Sequence, residues 1–452
     1  MYNRKAIEYL IKWSKKKERK PLILRGARQV GKTTLVNNFS ENFKQYIYLN
    51  LEETEDKQIF EQNYSFENLL SAIFFIKQKE KKIKNTLIFI DEIQNSAEAV
   101  KQLRYFYEKA PDIYVIAAGS LLETLMSKNI SFPVGRVEYL FLQAFSFEEY
   151  LWAINNKNLV ELWNKIPLPE YAHNKLLSTF NTYSLIGGMP DIIKNYIENN
   201  DIVSLNSLYE SLIVSYLDDV EKYAQSNKEA KIIRFVIKNA FSEAGNRIKF
   251  NGFAKSNYKS REIGETMAIL EKTHLLKLIY PTTNTQLPIV SDTKKSPKLQ
   301  ILDTGLVNYF AGLQQEIFNS NDIQKVYKGR IAEHIVSQEL KYAFPSILQD
   351  LHFWVREKKQ SNAEVDFVIP FDGKLIPIEV KSGATGRLRS LHQFIDLAPH
   401  NLSVRIYAGK IRIEKTKTIT GKQFYLLNLP YYLTSKIKEY LKYFVEKIEQ
   451  TT

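Results

Sequence analysis

Residues 21–43 read PLILRGARQVGKTTLVNNFSENF, and their order decides the fold of the N-terminal third. Pro21–Arg25 (PLILR) has the pattern of a short buried strand. It runs straight into GARQVGKT, Gly26 to Thr33, and then into a helical stretch, TLVNNFSENF. Strand, glycine loop and helix in that order are the setting that a Walker A phosphate loop requires. Gly26 and Gly31 let the backbone curl so that successive N–H groups of Gly26, Ala27, Arg28, Gln29, Val30, Gly31, Lys32, Thr33 and Thr34 face phosphate, at a helix N-terminus that favours negative charge. Lys32 is expected to reach the β- and γ-phosphates of ATP, and the Thr33 hydroxyl to ligate Mg²⁺.

A second element should follow, an apolar strand ending in an acid. Thr86–Ile90 (TLIFI) leads into Asp91 and Glu92. Asp91 is expected to hold the magnesium, and Glu92 to orient and activate the attacking water. Further strands are read at Tyr46–Leu51 (YIYLNL), Ile113–Ala118 (IYVIAA) and Glu138–Gln143 (EYLFLQ). Strands alternating with helices imply a parallel sheet covered on both faces. Ser120, at the end of the strand after Asp91, is placed either to sense the γ-phosphate or to cap a helix. Arg28 either touches phosphate or faces solvent. Arg136, in PVGRVEY, supplies positive charge to a phosphoryl transition state, in cis or from a neighbouring subunit, or else forms a structural ion pair.

The bulk numbers set the wider frame. The chain has 452 residues, 44% hydrophobic and 25% charged, a globular composition that suits about three domains of roughly 150 residues. With no cysteine, disulfides and cysteine-ligated zinc are excluded. No apolar run approaches the ~20 residues of a membrane span. The start, MYNRKAIEYLIKWSKKKERK, reads as a first helix packed on the ATPase domain rather than as a leader. A cytoplasmic protein with no membrane partner is expected. The formal net charge is +13, which suits a polyanionic partner. From Lys228 to Gln300 there are fourteen Lys and Arg against six Asp and Glu, so this stretch carries more than half of the excess.

GARQVGKT, LIFIDEIQ, Gly119-Ser120 and Gly135-Arg136 followed by LQAFSFEEYL resemble, as a set, a family of bacterial and archaeal AAA-type ATPases with a C-terminal domain of unknown function. IGGMPDIIKNYIEN (Ile186–Asn199), SPKLQILDTGLVNYFAG (Ser296–Gly312), GRIAEHIVSQEL and AEVDFVIPFDGKLIPIEVKSG extend the resemblance over almost the entire chain. The resemblance implies an α/β protein: an AAA-like P-loop ATPase core over 1–150, a helical lid over 151–212, a winged helix-turn-helix over 213–300, and a restriction-endonuclease-like α/β domain over 301–452.

The residues support parts of that division. Lys259–Leu276 (KSREIGETMAILEKTHLL) has helical periodicity, and KLIYPTT then suggests a strand and turn, as in a wing. Lys255, Lys259 and Arg261 there either meet nucleic-acid phosphates, DNA being the expected partner, or lie on a winged helix used only as a packing module. In the last third, Asp366 lies in one strand (AEVDFVIP), and Glu379 and Lys381 lie in the next (IPIEVKSG). Asp, a gap and Glu-x-Lys across two adjacent strands is the pattern of PD-(D/E)xK nucleases, with Val365 in place of the leading proline. Asp366 and Glu379 can share one Mg²⁺, and Lys381, on the same strand face as Glu379, can orient its water. The resemblance adds Glu333 as a further metal ligand, and Gln393 is a weaker candidate.

No other chemistry competes. The six histidines include no pair at ligand spacing on a helix, and there is no GxSxG nucleophile signature. The expectation is an ATP- and Mg²⁺-dependent ATPase whose nucleotide state controls a DNA-binding, nuclease-like tail, with assembly into a homo-oligomer left open. The alternative is a nucleotide-dependent switch or scaffold whose nuclease-like domain is inactive and binds protein.

Overall fold

The structure is a computed structural model, and it describes residues 2–119, 133, 135–220, 224–312, 330–345, 349–357, 363–381 and 388–450. The chain forms two compact units. One comprises residues 1–144 with 272–275, and the other residues 145–271 with 276–452.

The first unit is built on a five-stranded, wholly parallel sheet. Its strands are β1 (Leu22–Arg25), β2 (Gln45–Asn50), β3 (Thr86–Asp91), β4 (Tyr114–Ala118) and β5 (Glu138–Phe141), in the order β2-β3-β4-β1-β5. Every residue of β3 is buried, as expected of a strand covered on both faces. Helices Thr54–Glu61, Phe66–Ile76 and Ala97–Lys109 close one side through Ile59, Phe60, Leu69, Leu70, Ile73, Leu103 and Phe106. Because the strands are parallel, their C-terminal ends share one edge, and the loops after β1 and β3 meet there. The predicted first helix spans Ala6–Ser14 and buries Leu10 and Trp13. The Arg4 guanidinium just before it donates to Val30 O (3.0 Å) and Gln143 O (2.6 Å), pinning the glycine loop from outside.

The second unit begins with helices, among them Phe147–Ala153, His173–Ile186, Pro190–Asn199 and Asn206–Asp218. Next come helix Asn227–Ala240, a short turn Phe253–Lys255 and helix Ser260–Lys272. An antiparallel pair follows, β6 (Leu276–Ile279) with β8 (Lys298–Ile301), and Arg247 bridges to Lys298 at its edge. Between them, β7 (Pro281–Thr282) leaves the pair and joins a different sheet.

That sheet has seven strands in the order β13-β14-β12-β11-β10-β9-β7, where β9 is His352–Val355, β10 Glu364–Phe371, β11 Lys374–Val380, β12 Leu402–Tyr407, β13 Arg412–Lys417 and β14 Gln423–Pro430. β10 and β11 form a hairpin whose two turn residues, Asp372 (φ 47°) and Gly373 (φ 69°), are left-handed. Asp-Gly suits that turn, since both positions need positive φ. Helix Arg389–Leu397 packs on one face through Leu391, Phe394 and Ile395. Among the described residues no helix is long and apolar enough to cross a membrane.

Candidate functional site

The edge of the five-stranded sheet assembles the predicted phosphate loop. Gly26 (φ 149°), Gln29 (φ 63°) and Gly31 (φ 91°) turn the chain through the left-handed region. A Cβ on Gly26 would stand 2.3 Å from Leu142 O, so the backbone passes where only glycine fits. Helix Lys32–Ser40 starts at Gly31 and carries no acid in its first turn, which leaves its amide groups and dipole available to an anion.

Lys32 is 7% exposed. Its ammonium donates to Gly26 O (3.0 Å) and Ala27 O (2.8 Å), so the loop holds it by its own carbonyls. Burial lowers its pKa to about 8, against the pull of Glu92 and Asp91. Thr33 Oγ1 donates to Asp91 Oδ2 at 2.7 Å. Burial pushes the Asp91 carboxyl up, partly offset by that hydroxyl. Tyr48 also donates to Asp91 Oδ2 (3.4 Å), and burial raises its own pKa.

Glu92 takes a left-handed backbone (φ 50°, ψ 41°) at the strand end, unusual for a glutamate and a recurrent mark of functional positions. Its amide donates to Asp91 Oδ1 (3.0 Å), and Gln94 donates to its Oε2. Both carboxylates are thus aimed rather than free to swing. The cradle at Gly26, the buried lysine and the hydroxyl–carboxylate contact fit a nucleotide triphosphate with its divalent ion. Ala27 and Val30 are buried in the loop, Arg28 is half-buried, and Gln29 and Thr34 are exposed. Arg136 Nε is held by Glu108 Oε1 at 2.6 Å, which Arg104 shares. Ser120 lies outside the described residues.

The second unit draws together most of the tail residues, and two more. Lys381 Nζ donates to Glu379 Oε1 (2.6 Å), on the strand face that the two-residue period predicts. Asp366 lies where the β9–β10 register slips by one residue, between Val365 and Val368. Such a bulge re-aims a side chain, and Asp366 Oδ2 accepts the Val380 amide at 2.8 Å. Glu333 stands on helix Arg330–Ala343. Gln393 accepts from Arg356 (3.1 Å).

Lys298, at the start of β8, reaches Glu333 Oε2 (2.9 Å), Glu364 Oε1 (2.9 Å) and Asp366 Oδ1 (3.6 Å). Arg247 adds an ion pair to Glu364 at 3.3 Å. Burial would favour a neutral Lys298, but Glu333, Asp366 and Glu364 override it and hold its pKa above the ordinary lysine value. Glu333 and Glu379 are both pushed upward, first by burial and then by the Asp366 charge. Among the described residues, no group of three or more His, Asp or Glu side chains is arranged to hold a metal ion. Lys298 and Glu364 escaped the sequence reading. Glu364 had a signal, since it shares the strand period of Asp366; Lys298 had none nearby.

Residues 18–151 match a family model described as an AAA domain. Residues 177–317 and 328–432 match two described as domains of unknown function, DUF8612 and DUF4143. No curated protein matches the chain. Among solved structures, the Walker-type ATPase of Pyrococcus abyssi is 16% identical with a TM-score of 0.44, over 69% of this chain and 96% of that one. The Thermotoga maritima RuvB Holliday junction branch migration motor is 14% identical (TM-score 0.28; 65% and 93%). The Aeropyrum pernix Orc1 protein in complex with DNA is 11% identical (TM-score 0.28; 69% and 93%).

Proposed function

Since residues 18–151 form an AAA-type P-loop ATPase domain, we propose that the protein hydrolyses Mg²⁺-ATP and couples its nucleotide state to a DNA-contacting C-terminal region. The observation that carries the first half is the 2.7 Å contact between Thr33 and Asp91, because it joins the two motifs that must share one ion. Magnesium bound there would neutralise charge on the β- and γ-phosphates. The chain's own residues do the rest. Lys32 leaves the loop carbonyls for the phosphates, the helix N-terminus receives them, and Glu92, steadied by Gln94, orients a water for in-line attack.

For the second half, helix Asn227–Ala240, the turn at Phe253–Lys255, helix Ser260–Lys272 and the β6–β8 pair bridged by Arg247 follow the order of a winged helix. Lys255, Lys259 and Arg261 are exposed there, as phosphate contacts must be. Measuring ATP turnover with and without duplex DNA tests the coupling. Stimulation and salt-sensitive binding are expected, and neither in the presence of sound ATPase activity would overturn the DNA reading.

One observation favours a second reading of the tail, as a nuclease-like platform that does not cut. Lys298 sits among the carboxylates that a divalent ion would need, so in this arrangement the residues do not fit a metal. Nicking of supercoiled DNA in Mg²⁺ is expected to be no greater for the wild type than for Asp366→Ala or Lys381→Ala. Nicking lost in both variants would restore the nuclease.

A further inference from the structure

We propose that Lys298 is the resident cation of the tail's carboxylate cluster and keeps divalent ions out of it. The inference rests on side-chain geometry and does not need the DNA reading to hold.

An ammonium has three N–H donors in a tetrahedral fan. Those of Lys298 face three carboxylate oxygens, two at 2.9 Å and one at 3.6 Å. The side chain is 7% exposed, and its Nζ also lies 5.1 Å from the centre of the Phe353 ring and 5.8 Å from that of Phe367. It is therefore walled in, with its stem fixed by the β6–β8 ladder through the Ile279–Lys298 pair. Magnesium demands oxygens at ~2.1 Å in an octahedron. An oxygen set spread around a nitrogen at these distances is too wide for it, and its centre is filled.

Charge balance points the same way. Glu333, Glu364, Asp366 and Glu379 face Lys298, Arg247 and Lys381, so the cluster is close to neutral as it stands. Asp366 is committed twice, to Lys298 and to the Val380 amide. One group is left over. Glu379 Oε2 is buried with no hydrogen-bond partner, while its residue is only 6% exposed. Such an atom is costly to leave unpaired, and it is an acceptor that a cation in the cluster could use. The cluster thus has donors for a cation and already contains one, supplied by a strand outside the seven-stranded sheet.

Removing the ammonium while keeping its length should convert the cluster into a metal site. Lys298→Met, titrated with Mn²⁺ alone in the nucleotide-free full chain and followed by electron paramagnetic resonance, is expected to bind one more ion than the wild type, with a dissociation constant below about 1 mM. Lys298→Arg, which keeps the charge, should not, and adding Asp366→Asn to Lys298→Met should abolish the gain. Unchanged Mn²⁺ binding in a folded Lys298→Met protein overturns the proposal. Should that variant not fold, the wild type decides: an Mn²⁺ ion bound below about 1 mM and lost in Glu379→Gln would overturn it, and its absence supports it. Neither outcome touches the ATPase reading, which is scored separately by turnover.

Discussion

The Thr33 hydroxyl donates to Asp91 across 2.7 Å, tying the head of helix Lys32–Ser40 to the tip of β3, a strand separated from β1 by β4. Residues far apart in the chain are held where a single ion can touch both. The contact predicts that neither residue can be replaced cheaply. Thr33→Ala and Asp91→Asn are each expected to lower ATP turnover about a hundredfold or more while leaving the fold intact. Steady-state hydrolysis together with thermal unfolding checks this, and normal turnover in either would refute the shared-ion role.

Lys32 makes a pH signature. Burial holds its pKa near 8 in the nucleotide-free protein, whereas phosphates would keep it charged. Above pH 8 the free protein has released that proton and must recover it to bind ATP. Affinity is therefore expected to fall as pH rises from 8 to 9.5, approaching tenfold per pH unit, with proton uptake visible in calorimetry across buffers of different ionisation enthalpy. Below pH 8 this group contributes no slope. Lys32→Ala should bind ATP weakly and show no such uptake.

A second titration lies in the buried network of the C-terminal unit. Glu339 is 1% exposed, and its Oε1 accepts the Phe147 amide (3.1 Å) and the Tyr183 hydroxyl (2.8 Å). Burial pushes its pKa up to about 7, and that of Asp303 nearby up to about 6. The folded state thus holds protons that the unfolded chain releases, so stability is intact below pH 4.5 and lost as pH rises through 7. Glu339→Gln keeps the acceptor and removes the ionisation. It is expected to raise stability by roughly 3 kcal/mol at pH 8 and by almost nothing at pH 4.5, measured by urea unfolding. Equal effects at both values would contradict the assignment.

The basic surface gives a fourth test. Lys255→Ala, Lys259→Ala and Arg261→Ala together are expected to weaken duplex binding without sequence preference and to flatten the slope of log affinity against log salt by about 3. Arg261 already shares its charge with Glu265 at 2.7 Å, so it should contribute least. An unchanged slope would place DNA elsewhere or nowhere.

How much of this was legible in the sequence depended on range. The phosphate loop was plain because strand, glycines and helix are contiguous, and Asp91-Glu92 because an apolar run ends on them. The hairpin carrying Asp366 and Glu379 was readable for the same reason, its Asp372-Gly373 turn marking the fold-back. The left-handed Glu92 and its Gln94 support were not, since backbone strain leaves no composition signal. Arg4 gripping Val30 and Lys298 entering the carboxylate cluster depend on tertiary pairing of distant segments, which periodicity cannot report. Arg136 showed the limit of motif reading: its charge was visible, but its partner, Glu108, was not.

The most direct test of the central claim is a single-turnover measurement on Glu92→Gln. The variant is expected to bind Mg²⁺-ATP within a few-fold of the wild type, since Lys32, Thr33 and Asp91 are untouched, and to hydrolyse it at least about a hundredfold more slowly. Wild-type hydrolysis rates in Glu92→Gln, or loss of ATP binding along with hydrolysis, would contradict the roles assigned to this site.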